Sequence, residues 1–243
     1  MKKIIKLKYF KSLAVVLSVT ALIVISSTLA FFNSTDQTTN KFIGGRFDIV
    51  LMETNWDPKD AEGVVPGDEL DKNPQVKNIE RTSGYIYLKV TVPCDTQMVD
   101  NDDGTPLGTV GDQVPMYKFM VARGTTPQTY EADTSFSPKQ KVNSHWRLVA
   151  ESGKDYTSFD EENKNYIYVY AYANSDGLVA LKKNELTEPL FDKLLLWNFN
   201  EEFDPEKSHN VLVEAYGIQT DLGDYTSSNI SEIWSIIETG EGG

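Results

Sequence analysis

Cysteine and histidine are nearly missing from this chain of 243 residues: Cys94 stands alone, and His145 and His209 are the only imidazoles. A single cysteine excludes an internal disulfide and a thiolate metal site. The two histidines lie far apart with no HExxH pattern, which excludes a zinc protease of the usual kind. No GxSxG elbow, P-loop or dinucleotide fingerprint is present. Positive charge is also scarce, with 23 Lys and Arg against 36 Asp and Glu and a formal net charge of -13. Lys2, Lys3, Lys6, Lys8 and Lys11 sit in a stretch without acids, so the remainder is more acidic still. Such a surface repels phosphate backbones and excludes nucleic acid as a partner. It attracts cations or basic surfaces instead.

What is present begins with an export segment. Met1–Lys11 is basic, and Ser12–Phe32 is an uncharged, strongly apolar run of 21 residues. That length can span a bilayer, and it exceeds the h-region of an ordinary signal peptide. An uncleaved anchor with its lysines inside is one reading. The small residues Thr28 and Ala30, followed by polar Asn33-Ser34-Thr35-Asp36, favour the other, cleavage between Ala30 and Phe31. An exported chain so poor in cysteine suits a Gram-positive bacterium. No second long apolar run and no LPxTG-type signal occurs, so the cleaved protein is expected to be free or held by other proteins.

The sequence divides into a targeting segment (1–30), an N-terminal strand region (31–45) and a β-domain (46–243). The β-domain is patterned in twos. Ile86, Leu88, Val90 and Val92 share one face, and Tyr85, Tyr87, Lys89 and Thr91 the other. Tyr166, Tyr168, Tyr170 and Tyr172 alternate with Ile167, Val169, Ala171 and Ala173, and Val211, Val213 and Ala215 with Leu212, Glu214 and Tyr216. Phe47, Ile49 and Leu51 alternate with Asp48 and Val50. This period predicts strands with two unlike faces. Met116–Val121, Trp146–Ala150 and Leu194–Phe199 are weaker strands. Turn-formers such as Pro66-Gly67-Asp68 and Asn174-Ser175-Asp176-Gly177 punctuate them. The expected fold is all-β, a jelly-roll-like antiparallel β-sandwich with elaborated loops between about Asp95 and Asn143. One short C-terminal helix is expected from Ile230, Ile233, Trp234 and Ile237, capped by Asn229 with Glu232 three residues on.

Two features invite a functional reading. The turn Asp100-Asn101-Asp102-Asp103-Gly104 is acidic, but an EF-hand with Gly104 sixth would put Val99 first and Val110 twelfth, where carboxylates are required. A solvated hairpin turn or an irregular calcium loop remains. The row Tyr166, Tyr168, Tyr170 and Tyr172 is either a binding face for a glycan or partner, or a stripe covered by another layer or by the helix.

Four segments in order carry a family resemblance. Thr28-Leu29-Ala30-Phe31-Phe32-Asn33 precedes Phe42-Ile43-Gly44-Gly45-Arg46-Phe47-Asp48-Ile49. Val65-Pro66-Gly67-Asp68-Glu69-Leu70 follows, with Asn78 beyond it, and Glu214-Ala215-Tyr216-Gly217-Ile218-Gln219-Thr220 then Ile233-Trp234 close the chain. This arrangement resembles the TasA/camelysin family, whose members carry SipW-type signal peptides. The resemblance covers both ends and departs from the family in the middle. It implies a jelly-roll-like sandwich, export with cleavage by a dedicated signal peptidase, and a secreted fibre or surface component of a biofilm matrix. It also implies assembly in which the freed N-terminal strand of one subunit completes the sheet of the next. Here that strand is Phe31 to Ile43, with Phe31, Phe32, Phe42 and Ile43 as apolar anchors. Partners are then other copies of the chain and an accessory matrix subunit. The metallopeptidase activity described for the family lacks its histidine pairs here. No enzyme and no cofactor is expected. A monomeric adhesin using the tyrosine face, and a camelysin-type hydrolase using His145 or His209, are the competing readings.

Overall fold

The computed structural model describes residues 47–57, 64–96, 99–100, 104–109, 113–199 and 210–240, and the backbone of 39–42. Residues 1–30, expected to be an export segment, and the expected cleavage position Ala30–Phe31 lie outside the described residues, as do Phe31, Phe32, Ile43 and His209. Along the chain the strands are β1 (Thr39–Phe42), β2 (Ile49–Glu53), β3 (Glu69–Asp71), β4 (Pro74–Asn78), β5 (Gly84–Asp95), β6 (Val99–Asp100), β7 (Pro106–Leu107) and β8 (Val114–Pro115). They continue as β9 (Tyr117–Arg123), β10 (Thr129–Ala132), β11 (Trp146–Leu148), β12 (Ser158–Asp160), β13 (Asn165–Asn174), β14 (Gly177–Leu178), β15 (Lys193–Leu196) and β16 (Leu212–Gln219). Helix α1 (Ile230–Thr239) follows.

The result is an all-β sandwich with one short C-terminal helix. The principal sheet runs β1-β16-β5-β13-β11, with β12 and β14 also on β13 and β8 on β5. The facing sheet runs β10-β9-β15-β3, and β2-β4 and β6-β7 form separate ribbons. The long strands β5, β13 and β16 are those whose period-two pattern is cleanest. Their two faces go to two different layers. Ile86, Leu88, Val90, Val92, Tyr166, Tyr168, Tyr170, Val213 and Ala215 point into the core shared with Phe119, Leu194 and Leu196 of the facing sheet. Tyr85, Tyr87, Val169, Ala171, Ala173, Tyr216 and Ile218 form a second core under Ile233, Trp234 and Ile237 of α1. Cross-strand register pairs Ala171 with Tyr87, so a small side chain leaves room for the large ring beside it.

Helix α1 ends where expected and starts differently. Gly240 closes it in the left-handed conformation (φ 72°), donating from its backbone to Ile236 O at 3.1 Å. Asn229 makes no side-chain cap bond. Its Oδ1 turns back and accepts from Thr226 N and Thr226 Oγ1, each at 2.9 Å. The capping box expected with Glu232 is therefore replaced by a turn upstream. Tyr87 Oη donates to Ile230 O at 2.9 Å and fastens the first turn to β5.

The middle of the chain resolves into the elaborated hairpins the sequence suggested. The ribbon β6-β7 and the hairpin β9-β10 both lie there. Beyond β10, the Gln140 side chain continues the ladder along β9: its Oε1 accepts from Phe119 N at 2.9 Å and its Nε2 donates to Tyr117 O at 3.0 Å. Val65-Pro66-Gly67-Asp68 forms a turn with Gly67 at φ +92° and Asp68 N donating to Val65 O at 3.1 Å. A positive φ at the third turn residue is what requires glycine there. The turn docks on β15 through Gly67 N to Leu196 O and Leu196 N to Asp68 O, both 2.9 Å. Asn78, fully buried, ends β4 and ties it down, donating to Thr82 O and Leu181 O at 2.8 Å and accepting from Glu80 N at 2.8 Å.

Candidate functional site

The principal sheet ends in an edge built unlike the rest. Strand β16 pairs β5 antiparallel along its whole length, from Leu212 opposite Thr91 to Gln219 opposite Gly84. Its other side is covered by β1 in parallel: Thr39 opposite Glu214, Asn40 opposite Ala215, Lys41 opposite Tyr216 and Phe42 opposite Gly217. Among the described strands this is the one parallel pairing. Parallel pairs are somewhat weaker per residue, and no hairpin can join them. Strand β1 has 4 residues, and most of the chain separates it from β16. Its backbone pairs with one neighbour, β16, and it also lies near β2.

Phe47 is a fixed point next to that edge. Its ring is buried over two glycines, Gly84 of β5 and Gly217 of β16. A Cβ on Gly217 would stand 2.6 Å from Phe47 Cδ1 and 3.2 Å from Ile49 Cγ2. The glycines are thus required by close approach. The inner face of β16 carries only Val213, Ala215 and Gly217, so the β1 side of the sheet is shallow and Phe47 fills it. On the other face Lys89 pairs with Glu214 at 3.8 Å, and Tyr216 Oη donates to Glu214 Oε1 at 3.3 Å. Burial, then the Glu214 charge, pushes the Tyr216 hydroxyl well above its ordinary value.

The tyrosine row is placed inside the molecule. Tyr166, Tyr168, Tyr170 and Tyr172 are all buried, Tyr168 completely. The reading of these residues as a binding face is corrected on that ground: the facing sheet and its loops cover them. Tyr168 Oη donates to Pro138 O at 2.6 Å, and its ring meets Phe119 edge-on at 5.8 Å. Tyr166 Oη donates to Gln113 O at 3.1 Å. Burial pushes all four hydroxyls up, Tyr166 to about 12. The helix covers the opposite face of the same strand, through Val169, Ala171 and Ala173.

Among the described residues no group of three or more His, Cys, Asp or Glu could hold a metal ion. His145 lies exposed in a turn, stacked near Tyr172 at 6.2 Å between ring centres. Asp100 ends β6 and Gly104 follows at φ +79°; the residues between them lie outside the described set. Cys94 is buried in β5 opposite Pro115.

Sequence reasoning missed Lys118. It sits on β9, in a run that reads as Met116 to Val121, yet its side chain is fully buried. Its ammonium donates to Ser137 O at 2.7 Å, Lys139 O at 2.9 Å and Ser135 O at 3.2 Å, and lies 4.8 Å from the Trp197 ring centre. Three donors meet three carbonyls, so the charge is saturated by the strap 135–139. Burial pushes this lysine down to about 8, partly opposed by Asp133 and Asp155. The only sequence signal was a charged residue inside an apolar run, which ordinarily marks a solvent face. Chain-wide comparison with known proteins gives no family-level anchor: no protein-family model, no curated protein and no solved structure matches the chain.

Proposed function

We propose that the protein is an exported structural subunit of TasA/camelysin type, secreted to the cell surface or matrix, that polymerises by donating its N-terminal strand to the next copy. The observation that carries this is the parallel strand β1 lying on β16. It falls within the segment Phe31–Ile43 to which the family resemblance assigns assembly. A short edge strand joined to the body by one covalent link can be exchanged between copies with the same hydrogen bonds on both sides of the exchange. The body then retains Phe47 over Gly84 and Gly217, and β16 of one copy takes β1 of another. Such a head-to-tail contact does not close, so it propagates as a filament. No catalytic role is assigned, and signal peptidase acts on the chain only during export.

Magnitude sets the condition for assembly. A strand tethered to its own body by a few residues has an effective concentration on the order of mM. Exchange between copies becomes competitive when crowding at a surface approaches that value. The net charge, -13 for the whole chain and more negative once Lys2, Lys3, Lys6, Lys8 and Lys11 are removed, opposes close approach of copies, and salt screens it. Negative-stain electron microscopy of a concentrated chain beginning at Phe31 is expected to show filaments, faster at higher ionic strength. A chain beginning after Ile43 is expected to remain as single particles. Filaments from both, or from neither after days at high concentration, overturn the reading.

A further inference from the structure

Phe42 and Phe47 meet the same residue from two directions. Phe42 stands opposite Gly217 in the pairing of β1 with β16, and the Phe47 ring lies on Gly217 from within the sandwich. Phe47 stays with its own body when β1 leaves. It is buried over Gly84 and Gly217, and β2, which follows it, pairs with β4 from Ile49 opposite Asn78 to Glu53 opposite Pro74. A donated β1 therefore puts Phe42 at Gly217 of the next copy while Phe47 remains on Gly217 of the first. The chain between Phe42 and Phe47, even fully extended, spans at most about 18 Å. A β-domain of residues 46–243 is about 40 Å across. So short a tether holds the two bodies in contact, with the surface around Phe47 at their junction.

That surface carries an apolar pair. Asp48 O accepts from Ile79 N at 3.1 Å, which places Ile79 within about 10 Å of Phe47 along the backbone. Opposite residues of an antiparallel pair share a face. Ile49 and Asn78 are opposite and both buried, so Asp48, Val50, Lys77 and Ile79 form the outward face of the β2-β4 ribbon. Leu186 stands opposite Lys77 and joins this face. Ile79 is 47% exposed and Leu186 43%, two of the four large apolar side chains exposed among the described residues. Single exposed apolar residues are ordinary. Two on one face, beside the point from which β1 departs, are not. Asp48 and Lys77 give the face one charge of each sign, which suits contact between copies of an acidic chain.

We infer that the outward face of the β2-β4 ribbon, centred on Ile79 and Leu186, is a contact surface for a second copy of this chain, the copy that receives β1. This rests on the strand donation proposed above and adds to it a direct contact between the two bodies.

Thiol protection in the chain beginning at Phe31 tests it. Ile79→Cys, Leu186→Cys and Val65→Cys are each treated with a maleimide, once as single particles and once as washed filaments, with the unsubstituted chain giving the background from buried Cys94. Val65 is 55% exposed and lies far from the ribbon's outward face: Lys77, Pro74, Asp71 and Asp68 meet Leu186, Leu190, Lys193 and Leu196 in turn before the chain reaches it. Ile79→Cys and Leu186→Cys are expected to react at least tenfold more slowly in filaments, and Val65→Cys at an unchanged rate. Ile79→Ser combined with Leu186→Ser, which adds no charge, is expected to raise the concentration needed for filaments at least tenfold with the unfolding midpoint unchanged. Filaments in which Ile79→Cys and Leu186→Cys react as fast as in single particles, equal protection at Val65→Cys, or filaments at an unchanged concentration in the double serine variant overturn the inference and leave strand donation standing. No filaments from any of these chains overturns strand donation and this inference with it.

Discussion

Strands β13 and β1 belong to one sheet and represent opposite ways of joining it. Strand β13 has 10 residues, pairs β5 on one side and β11 and β12 on the other, and is buried on both faces. Strand β1 has 4 residues and a single, parallel neighbour. Removing β13 exposes two cores. For the backbone of β1, removal breaks a few main-chain bonds, each worth a net ~0.5–1.5 kcal/mol, and frees residues that each regain ~1–2 kcal/mol of backbone entropy, so these two backbone terms are of similar size. A strand tied on both sides is fixed by its neighbours, whereas one tied on a single side depends on far fewer of them.

The broadest way to test the contrast is alkaline titration. Tyr87, Tyr117, Tyr166, Tyr168, Tyr170, Tyr172 and Tyr216 are all raised by burial, Tyr117 and Tyr166 to about 12. In the unfolded chain they ionise near 10. Their folded values are higher, so their stabilisation is complete below pH 10 and is lost as pH rises toward 12. Each such group removes stability in the same direction as pH rises, so their effects accumulate. Circular dichroism and phenolate absorbance are expected to change together in one cooperative step above pH 10. Early ionisation of most tyrosines with the fold intact would contradict their burial. Lys118 acts in the opposite sense: its folded value of about 8 lies below its ordinary one, so its contribution rises with pH between about 8 and 10.5.

Point substitutions sharpen the comparison. Tyr168→Ala is expected to cost about 3–5 kcal/mol by urea unfolding, because it empties a fully buried site on β13. Gly217→Ala sets a methyl against Phe47 and is expected to cost about 1–3 kcal/mol. Tyr168→Phe removes the bond to Pro138 O and the long one accepted from Gln140 Nε2 and is expected to cost about 1–2 kcal/mol. Starting the chain after Ile43 is expected to move the unfolding midpoint least of all, while removing filament formation. A loss of stability from that truncation as large as that of Tyr168→Ala would place β1 in the core after all.

Much of the fold was legible because period-two alternation is a local property. The faces of β5, β13 and β16 follow from it, as does the apolar stripe of α1. The partner of each face was not legible. The tyrosines of β13 and the tyrosines of β5 look alike in sequence, yet Tyr168 lies against the facing sheet and Tyr87 under the helix. Short strands such as β3 and β12 carry too few residues to show a period.

By itself the sequence determined the class of the molecule: a basic then apolar start, an acidic β-domain, alternating strands, one amphipathic helix, and no internal disulfide. Those follow from composition and short-range spacing, which act on residues a few positions apart. The tertiary structure alone decided that the tyrosine row is covered, that Lys118 spends its charge on a strap, and that β1 lies parallel on β16. Each depends on which distant segments meet, and that is set by the packing of the whole chain.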